Sequence, residues 1–198
     1  MGKLNPSRAL IFVGLFFVLG LVVTYFATTT RDYSRPVKQF SELGGDFTLQ
    51  SYQGEVSLSS YQGNVVVMYF GYTSCAEVCP ESLSVMKRAM DRLEEEGIKN
   101  VQGVMISVDP SRDNVEALRK FTRHFNERII GLTGTRQQIK AVGELYGVYY
   151  DDAKIRDIKY SVEHASRFYI IDTQGNLVTA MSHTTTPNEL AAQIRELI

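Results

Sequence analysis

The chain has 198 residues, 44% of them hydrophobic and 22% charged, an ordinary globular composition with room for one soluble domain but not two full-sized ones. Its 21 basic and 22 acidic residues leave a net charge of −1, unevenly spread: residues 1–31 carry Lys3, Arg8 and Arg31 with no acid, and the remainder is acidic by four charges. That acidic remainder excludes a basic nucleic-acid-binding domain, and two cysteines exclude a disulfide-dense scaffold.

Residues 1–8 read as a short basic tail. Residues 9–27, ALIFVGLFFVLGLVVTYFA, are uncharged and close to the ~20 residues that cross a bilayer core as a helix. They are read as an uncleaved transmembrane anchor. The alternatives are a cleaved signal peptide, which would have a shorter apolar run and a small-residue cleavage pattern that FATTTRDY lacks, and a buried core helix. A short basic tail before the span and a long domain after it favour N-terminus in, domain out. In a bacterium this makes residues 1–8 cytoplasmic and the protein single-pass in the inner membrane, with its domain facing the periplasm. Residues 28–44 have no amphipathic period and are punctuated by Pro36 and Gly44, so they read as a tether. Residues 45–198 form the domain.

The domain opens with FTLQSYQGEVSL, an alternating stretch with a turn glycine that predicts a β-hairpin. VVVMYF (65–70) predicts a buried strand. Leu83, Met86, Met90 and Leu93 recur at helical spacing in a helix expected from near Pro80 to Gly97. VQGVMISV (101–108) predicts a second buried strand. Asp113 and Glu116 suggest a capping box opening a helix with Val115, Leu118 and Phe125 inward. Thr135 and Gln138 open the next, with Ile139, Val142 and Tyr146 on one face. RFYII (167–171) and LVTAM (177–181) flank the turn DTQGN as an antiparallel hairpin. Thr186, Pro187 and Glu189 open a last helix with Leu190, Ile194 and Leu197 inward. A β-α-β unit, further helices, then β-β-α is the order of an α/β thioredoxin-like fold, here with an N-terminal β-hairpin extension and one preceding transmembrane helix.

Cys75 and Cys79 lie in FGYTSCAEVCP, between the first core strand and its helix. A helix N-terminus favours a thiolate, while Glu77 between the sulfurs opposes it. At i and i+4 the two side chains can share one face of a helical turn. Three readings stay open: a structural disulfide, which closes too small a loop to stabilise much; a redox dithiol; or a soft metal site for Cu(I) or zinc. A metal would want a third ligand. His164, in KYSVEHASRFYII, precedes a predicted strand and is the leading candidate. His124 suits a helix end, and His183 a polar loop. Asp109, after the second strand in SVDPSRD, reads as a turn residue, with an electrostatic role at the site as the alternative.

FGYTSCAEVCP, ISVDPSRDNVEAL, IIGLTG and VEHASRFYIID occur in this order, and in them the chain resembles the Sco/SenC family of copper proteins over roughly residues 45–198. The family pattern is Cys-x-x-x-Cys-Pro in a thioredoxin fold, with a distant histidine shortly before a strand; Cys75, Cys79, Pro80 and His164 match it position by position. Ala76 and Glu77 stand where many members carry Pro and Asp, and Glu163 and Ala165 stand where many carry Asp before the histidine and Ser or Thr after it. The resemblance implies a membrane-anchored copper chaperone holding Cu(I), with Cu(II) tolerated through the imidazole, on Cys75, Cys79 and His164. Asp109 and Glu163 are then candidates for charges acting on those ligands. The implied task is assembly of the binuclear copper centre of cytochrome c oxidase. Its implied partners are the copper-centre subunit, a periplasmic thiol reductant and a copper donor, with no nucleic acid. The alternative is a thiol–disulfide oxidoreductase that keeps the oxidase subunit's cysteines reduced; a thiol peroxidase would need an activating group, for which only Arg167 offers itself.

Overall fold

The computed structural model describes residues 16–24, 39–148 and 166–198. The chain divides into two compact units, Met1–Gln39 and Phe40–Ile198. In the first, residues 16–24 are helical and their large apolar side chains stand exposed, Phe16 at 74% and Val22 at 46%. They lie inside the segment expected to span a membrane. The rest of that segment, the tail 1–8 and tether residues 28–38 lie outside the described residues. Among the described residues no helix is long and apolar enough to cross a membrane.

The second unit begins with a 3-10 turn, Phe40–Glu42, and the N–H of Gly44 donates to the carbonyl of Leu145 at 2.8 Å, so the end of the expected tether is bonded to the domain. Strands β1 (Thr48–Ser51) and β2 (Gly54–Ser57) form the expected hairpin. Gln50 and Thr133 exchange backbone hydrogen bonds of 2.8 and 2.9 Å, attaching this hairpin to the main body. Then follow β3 (Val65–Gly71), α1 (Val78–Glu95), β4 (Val101–Ser107), α2 (Val115–Arg123), β5 (Ile129–Leu132) and α3 (Arg136–Leu145). After the undescribed residues 149–165 come β6 (Arg167–Ile171), β7 (Leu177–Ser182) and α4 (Pro187–Arg195).

The main sheet has five strands in the order β5-β4-β3-β6-β7. β5, β4 and β3 are parallel, β6 runs antiparallel to β3, and β7 antiparallel to β6. This is the thioredoxin-like α/β arrangement. β3 is central and all seven of its residues are buried, as a strand covered on both faces requires. Its side chains alternate. Val65, Val67 and Tyr69 face a core closed by Leu83, Met86 and Met90 of α1 and Leu190 and Ile194 of α4. Val66, Met68 and Phe70 face a second core with Phe47, Leu49, Ile139, Val142 and Tyr146.

Capping follows the sequence at two helices. Thr135 with Gln138 and Thr186 with Glu189 form complete capping boxes, and Pro187 is the first residue of α4. At α2 the expectation is corrected: Asn114 is the N-cap, accepting from the Ala117 N–H at 2.8 Å, and Asp113 turns inward. α1 starts at Val78, ahead of Pro80; a proline in the first turn costs no hydrogen bond, because that N–H has no partner within the helix. β5, unassigned in the sequence reading, spans only four residues and adds a parallel edge. Leu197 lies beyond the last residue of α4 yet still packs on the core.

Candidate metal centre

β3 ends at Gly71, and the loop 72–77 carries the chain from there to α1. Three hydrogen bonds hold this loop from the side. The buried carboxylate of Asp113 accepts from the Thr73 N–H at 3.0 Å, from the Thr73 hydroxyl, and from the Ser107 hydroxyl at 2.6 Å. Asp113 therefore clamps the cysteine loop to the end of β4. Cys75 closes a turn by donating its N–H to Tyr72 O at 3.3 Å.

Cys75 lies before the helix and Cys79 is its second residue, so the two are not an i, i+4 pair within a helical turn; this corrects the sequence expectation. They meet by capping instead. Glu77, at the N-cap, makes no side-chain cap, and the Cys79 N–H, one of the donors a helix start leaves unpaired, donates to Cys75 Sγ at 3.4 Å. Both thiols are free, Cys75 8% exposed and Cys79 fully buried. The Cys79 thiol donates to the Cys75 sulfur and, with the N–H groups of Cys79 and Glu77 and the Tyr72 hydroxyl, lowers the Cys75 pKa to about 6 against the opposing effect of burial. The same thiol bond, with burial, holds Cys79 well above the usual thiol range. Cys75, the outer sulfur, is thus the one favoured as thiolate, and Cys79, the inner one, is favoured as thiol.

Two tyrosines line the sulfurs. Burial, then the charges of Cys75 and Cys79, push Tyr72 up to about 12, partly offset by Arg112. Tyr69 is held above the usual phenol range by burial and by Cys79, so it stays a donor. Its hydroxyl lies 3.7 Å from Cys79 Sγ and 3.3 Å from Ser166 Oγ. Gly71 makes the room: a Cβ there would lie 2.8 Å from the Tyr69 ring and 3.0 Å from Cys79 Sγ.

The other candidates are placed as follows. His164 and Glu163 lie outside the described residues; Ser166, two positions after His164, lies on the Tyr69 hydroxyl. Asp109 is buried and occupied in its own turn, accepting from the Ser111 hydroxyl at 2.6 Å and from Arg112 Nε. His124 caps the C-terminus of α2 with its ring edge-on to Phe125, and His183 donates its N–H to Ser166 O at 3.1 Å from the loop after β7. Among the described residues no three His, Cys, Asp or Glu side chains converge on a metal position. Sequence reasoning read Asp113 as a helix cap and missed Tyr69, Gly71 and Ser166. Only Gly71 left a signal, as a glycine closing an otherwise β-branched and aromatic strand.

What the cysteine pair offers is a soft, partly ionised dithiol, competent for Cu(I) and for thiol–disulfide exchange alike. A SCO1/SenC family profile matches residues 35–198. The chain belongs to the SCO1/SenC family. Among SCO1/SenC relatives, it is 31% identical to an SCO2-like protein of Rickettsia conorii over 98% of both chains. It is 34% identical to the human mitochondrial SCO1 homolog over 77% of this chain and 52% of that one. The solved structure of Bradyrhizobium japonicum ScoI with copper bound matches with a TM-score of 0.68 at 30% identity, covering 79% of this chain and 99% of that one. Yeast Sco1 with copper bound gives a TM-score of 0.67 at 26% identity, covering 82% and 93%.

Proposed function

We propose that this SCO1/SenC protein is a membrane-tethered copper chaperone that carries copper on Cys75, Cys79 and His164 and assists assembly of the binuclear copper centre of cytochrome c oxidase. The observation that carries the reading is the paired thiols at the start of α1, one of them already favoured as thiolate and capped by a helix N–H. Copper-bound relatives of the same fold support the choice of metal. Two thiolates suit Cu(I), and an imidazole makes Cu(II) tolerable. Chain connectivity supports His164: two residues span at most about 7 Å, and Ser166 is already hydrogen-bonded to Tyr69 beside Cys79. The exposed apolar helix at 16–24 supports the tether, since a helix apolar all round needs a core or a bilayer to cover it. Lys3 and Arg8 before it are matched by Arg31, Arg35 and Lys38 after it, so it is the short tail followed by a long domain that supports a domain on the far side of the membrane, the periplasm in a bacterium, where a thiol reductant and a copper donor would serve it.

The asymmetry of the two thiols favours a second reading, a thiol–disulfide oxidoreductase serving the oxidase subunit. The Cys75 thiolate attacks a partner disulfide, displacing one partner thiol and forming a mixed disulfide. Cys79 then attacks Cys75, releasing the second partner thiol and leaving this chain oxidised by two electrons. Anaerobic Cu(I) titration of the reduced protein against a competing chelator tests the first reading. The wild type is expected to bind one Cu(I), Cys75→Ser and Cys79→Ser each to lose about 100-fold or more in affinity, and His164→Ala to weaken but keep binding, because Cu(I) is content with two sulfurs. Wild-type affinity in either cysteine variant would overturn the shared site. An intact copper-centre assembly in cells carrying His164→Ala would transfer the role to the second reading, which does not use the imidazole.

A further inference from the structure

We infer that Tyr69 is a positioning residue whose hydroxyl pins the inner sulfur, Cys79, to the strand leading out of the His164 segment, so that the reduced state of the cysteine pair depends on it. This rests on the reading of Cys75, Cys79 and His164 as the copper site, and it can be tested apart from copper.

The register of β3 and β6 sets the geometry. Tyr69 is directly opposite Phe168, its ring tilted on the Phe168 ring at 5.8 Å, and it is fully buried. A phenol lying along β6 in this way reaches past Phe168 to Ser166, which is on the same face one pleat earlier. There the hydroxyl meets Ser166 Oγ at 3.3 Å and Cys79 Sγ at 3.7 Å. One hydroxyl proton serves one acceptor at a time. The phenol is placed to donate to either acceptor; whenever it donates to Cys79, a serine hydroxyl turned to donate to the phenol oxygen would complete a chain of bonds ending at the sulfur. Ser166 is itself fixed, its carbonyl accepting from the His183 N–H at 3.1 Å. Ser82, on the same face of α1 as Cys79, adds a third buried hydroxyl beside the phenol.

The ring of Tyr69 fills the core as a phenylalanine would. The hydroxyl adds nothing apolar, and a buried polar group is kept where it is used. An O–H donor favours a reduced sulfur over a disulfide sulfur, because the thiol or thiolate is the better acceptor. Loss of the hydroxyl should therefore favour the disulfide and weaken Cu(I) binding.

The test uses the full chain in detergent, equilibrated with glutathione and glutathione disulfide. Two cysteine thiols give up two electrons and two protons, and one glutathione disulfide becomes two glutathiones; trapping of free thiols reads the position. Tyr69→Phe is expected to raise the equilibrium constant for disulfide formation about threefold to tenfold, the worth of one ordinary hydrogen bond, and to lower Cu(I) affinity in the same direction. Ser166→Ala should shift the equilibrium less, and the double variant no further than Tyr69→Phe alone, because the serine acts through the phenol. Tyr146→Phe, which removes a buried hydroxyl from the opposite face, should stay within twofold of wild type. A Tyr69→Phe equilibrium within twofold of wild type, an equal shift in Tyr146→Phe, or additive Tyr69 and Ser166 effects would each overturn the proposal. Should Tyr69→Phe fail to fold, by circular dichroism, Ser166→Ala decides: a constant within twofold of wild type overturns it. Wild-type protein that binds no Cu(I) while its thiol equilibrium still responds to Tyr69→Phe would sink the copper reading and leave this one standing.

Discussion

Tyr69 and Tyr146 are both buried against the sheet, one on each face, and their hydroxyls go to different kinds of acceptor. Tyr146 donates to the Gly45 carbonyl at 2.9 Å and sits among the rings of Phe47, Phe70 and Tyr169. Its bond closes the incoming chain onto the domain. Tyr69 meets a sulfur and a serine hydroxyl on a face where α1 brings Cys79 beneath the sheet. One face is thus a packed aromatic wall that supports the sheet, and the other carries polar atoms that touch the chemistry. The same alternating strand, β3, supplies both. The lesson is that a two-residue period separates scaffold from site within a single strand.

The comparison can be broken or sharpened by substitution. The largest effect is expected from the wall. Phe70→Ala removes a ring that contacts both Tyr146 and Tyr169, and should cost about 3–5 kcal/mol in urea unfolding. The thiol–disulfide equilibrium of the folded fraction should stay at wild type; a shift as large as that of Tyr69→Phe would show that the faces are not separate.

Asp113→Ala should cost roughly 2–4 kcal/mol, because the Thr73 N–H and the Ser107 hydroxyl lose their acceptor in a buried place. Unlike Phe70→Ala it should also loosen the cysteine loop, seen as an altered alkylation rate at Cys75. An unchanged rate would reduce Asp113 to a purely structural part. Gly71→Ala sharpens the contrast at smaller cost, about 1–3 kcal/mol, since the added methyl presses on the Tyr69 ring and on Cys79 Sγ. The methyl points to the site face, so stability and thiol equilibrium should move together; stability moving alone would mean that the sulfur simply steps aside.

The smallest effect concerns charge alone. With Cys75 lowered from 9.0 to about 6, iodoacetamide should label Cys75 selectively, at a rate that is level above pH 7 and falls as pH drops through about 6, while Cys79 stays silent. The folded form binds fewer protons at Cys75 than the unfolded chain, so this group adds stability as pH rises from about 6 toward 9 and loses it on the way down. A labelling midpoint near 9 would show that the helix start and the Cys79 thiol do not act on Cys75.

Much of the scaffold was legible because its signals are local. The β-branched run 65–70, the helical spacing from Leu83 to Leu93 and the Thr135 and Thr186 capping boxes each need only neighbours in sequence. β5 was not legible: IIGL is four residues long and apolar throughout, without a period to read. Asp113 was misplaced for a related reason. Asp and Asn stand side by side before α2, either can cap, and only the fold shows that Asn114 faces the helix while Asp113 faces Thr73. At the site the cysteines announce themselves, but the phenol that touches Cys79 is one aromatic in a strand full of apolar residues, and its partner Ser166 is 97 residues away. Pairings across such distances leave no mark in the intervening sequence.

That separation has a consequence for the order in which the protein is made. The cysteine loop emerges from synthesis long before β6, yet β6 is the strand that lies against β3 and brings Ser166 to the Tyr69 hydroxyl. Contacts spanning so much chain form late, since loop closure has to precede them. Until β6 pairs, the nascent domain lacks one wall around Cys79, and the sulfur that is fully buried in the finished protein is open to whatever oxidant or metal is at hand. The interval between the two events, which lengthens with the stretch of chain that separates them, is the time during which the protein's thiols are chemically least protected.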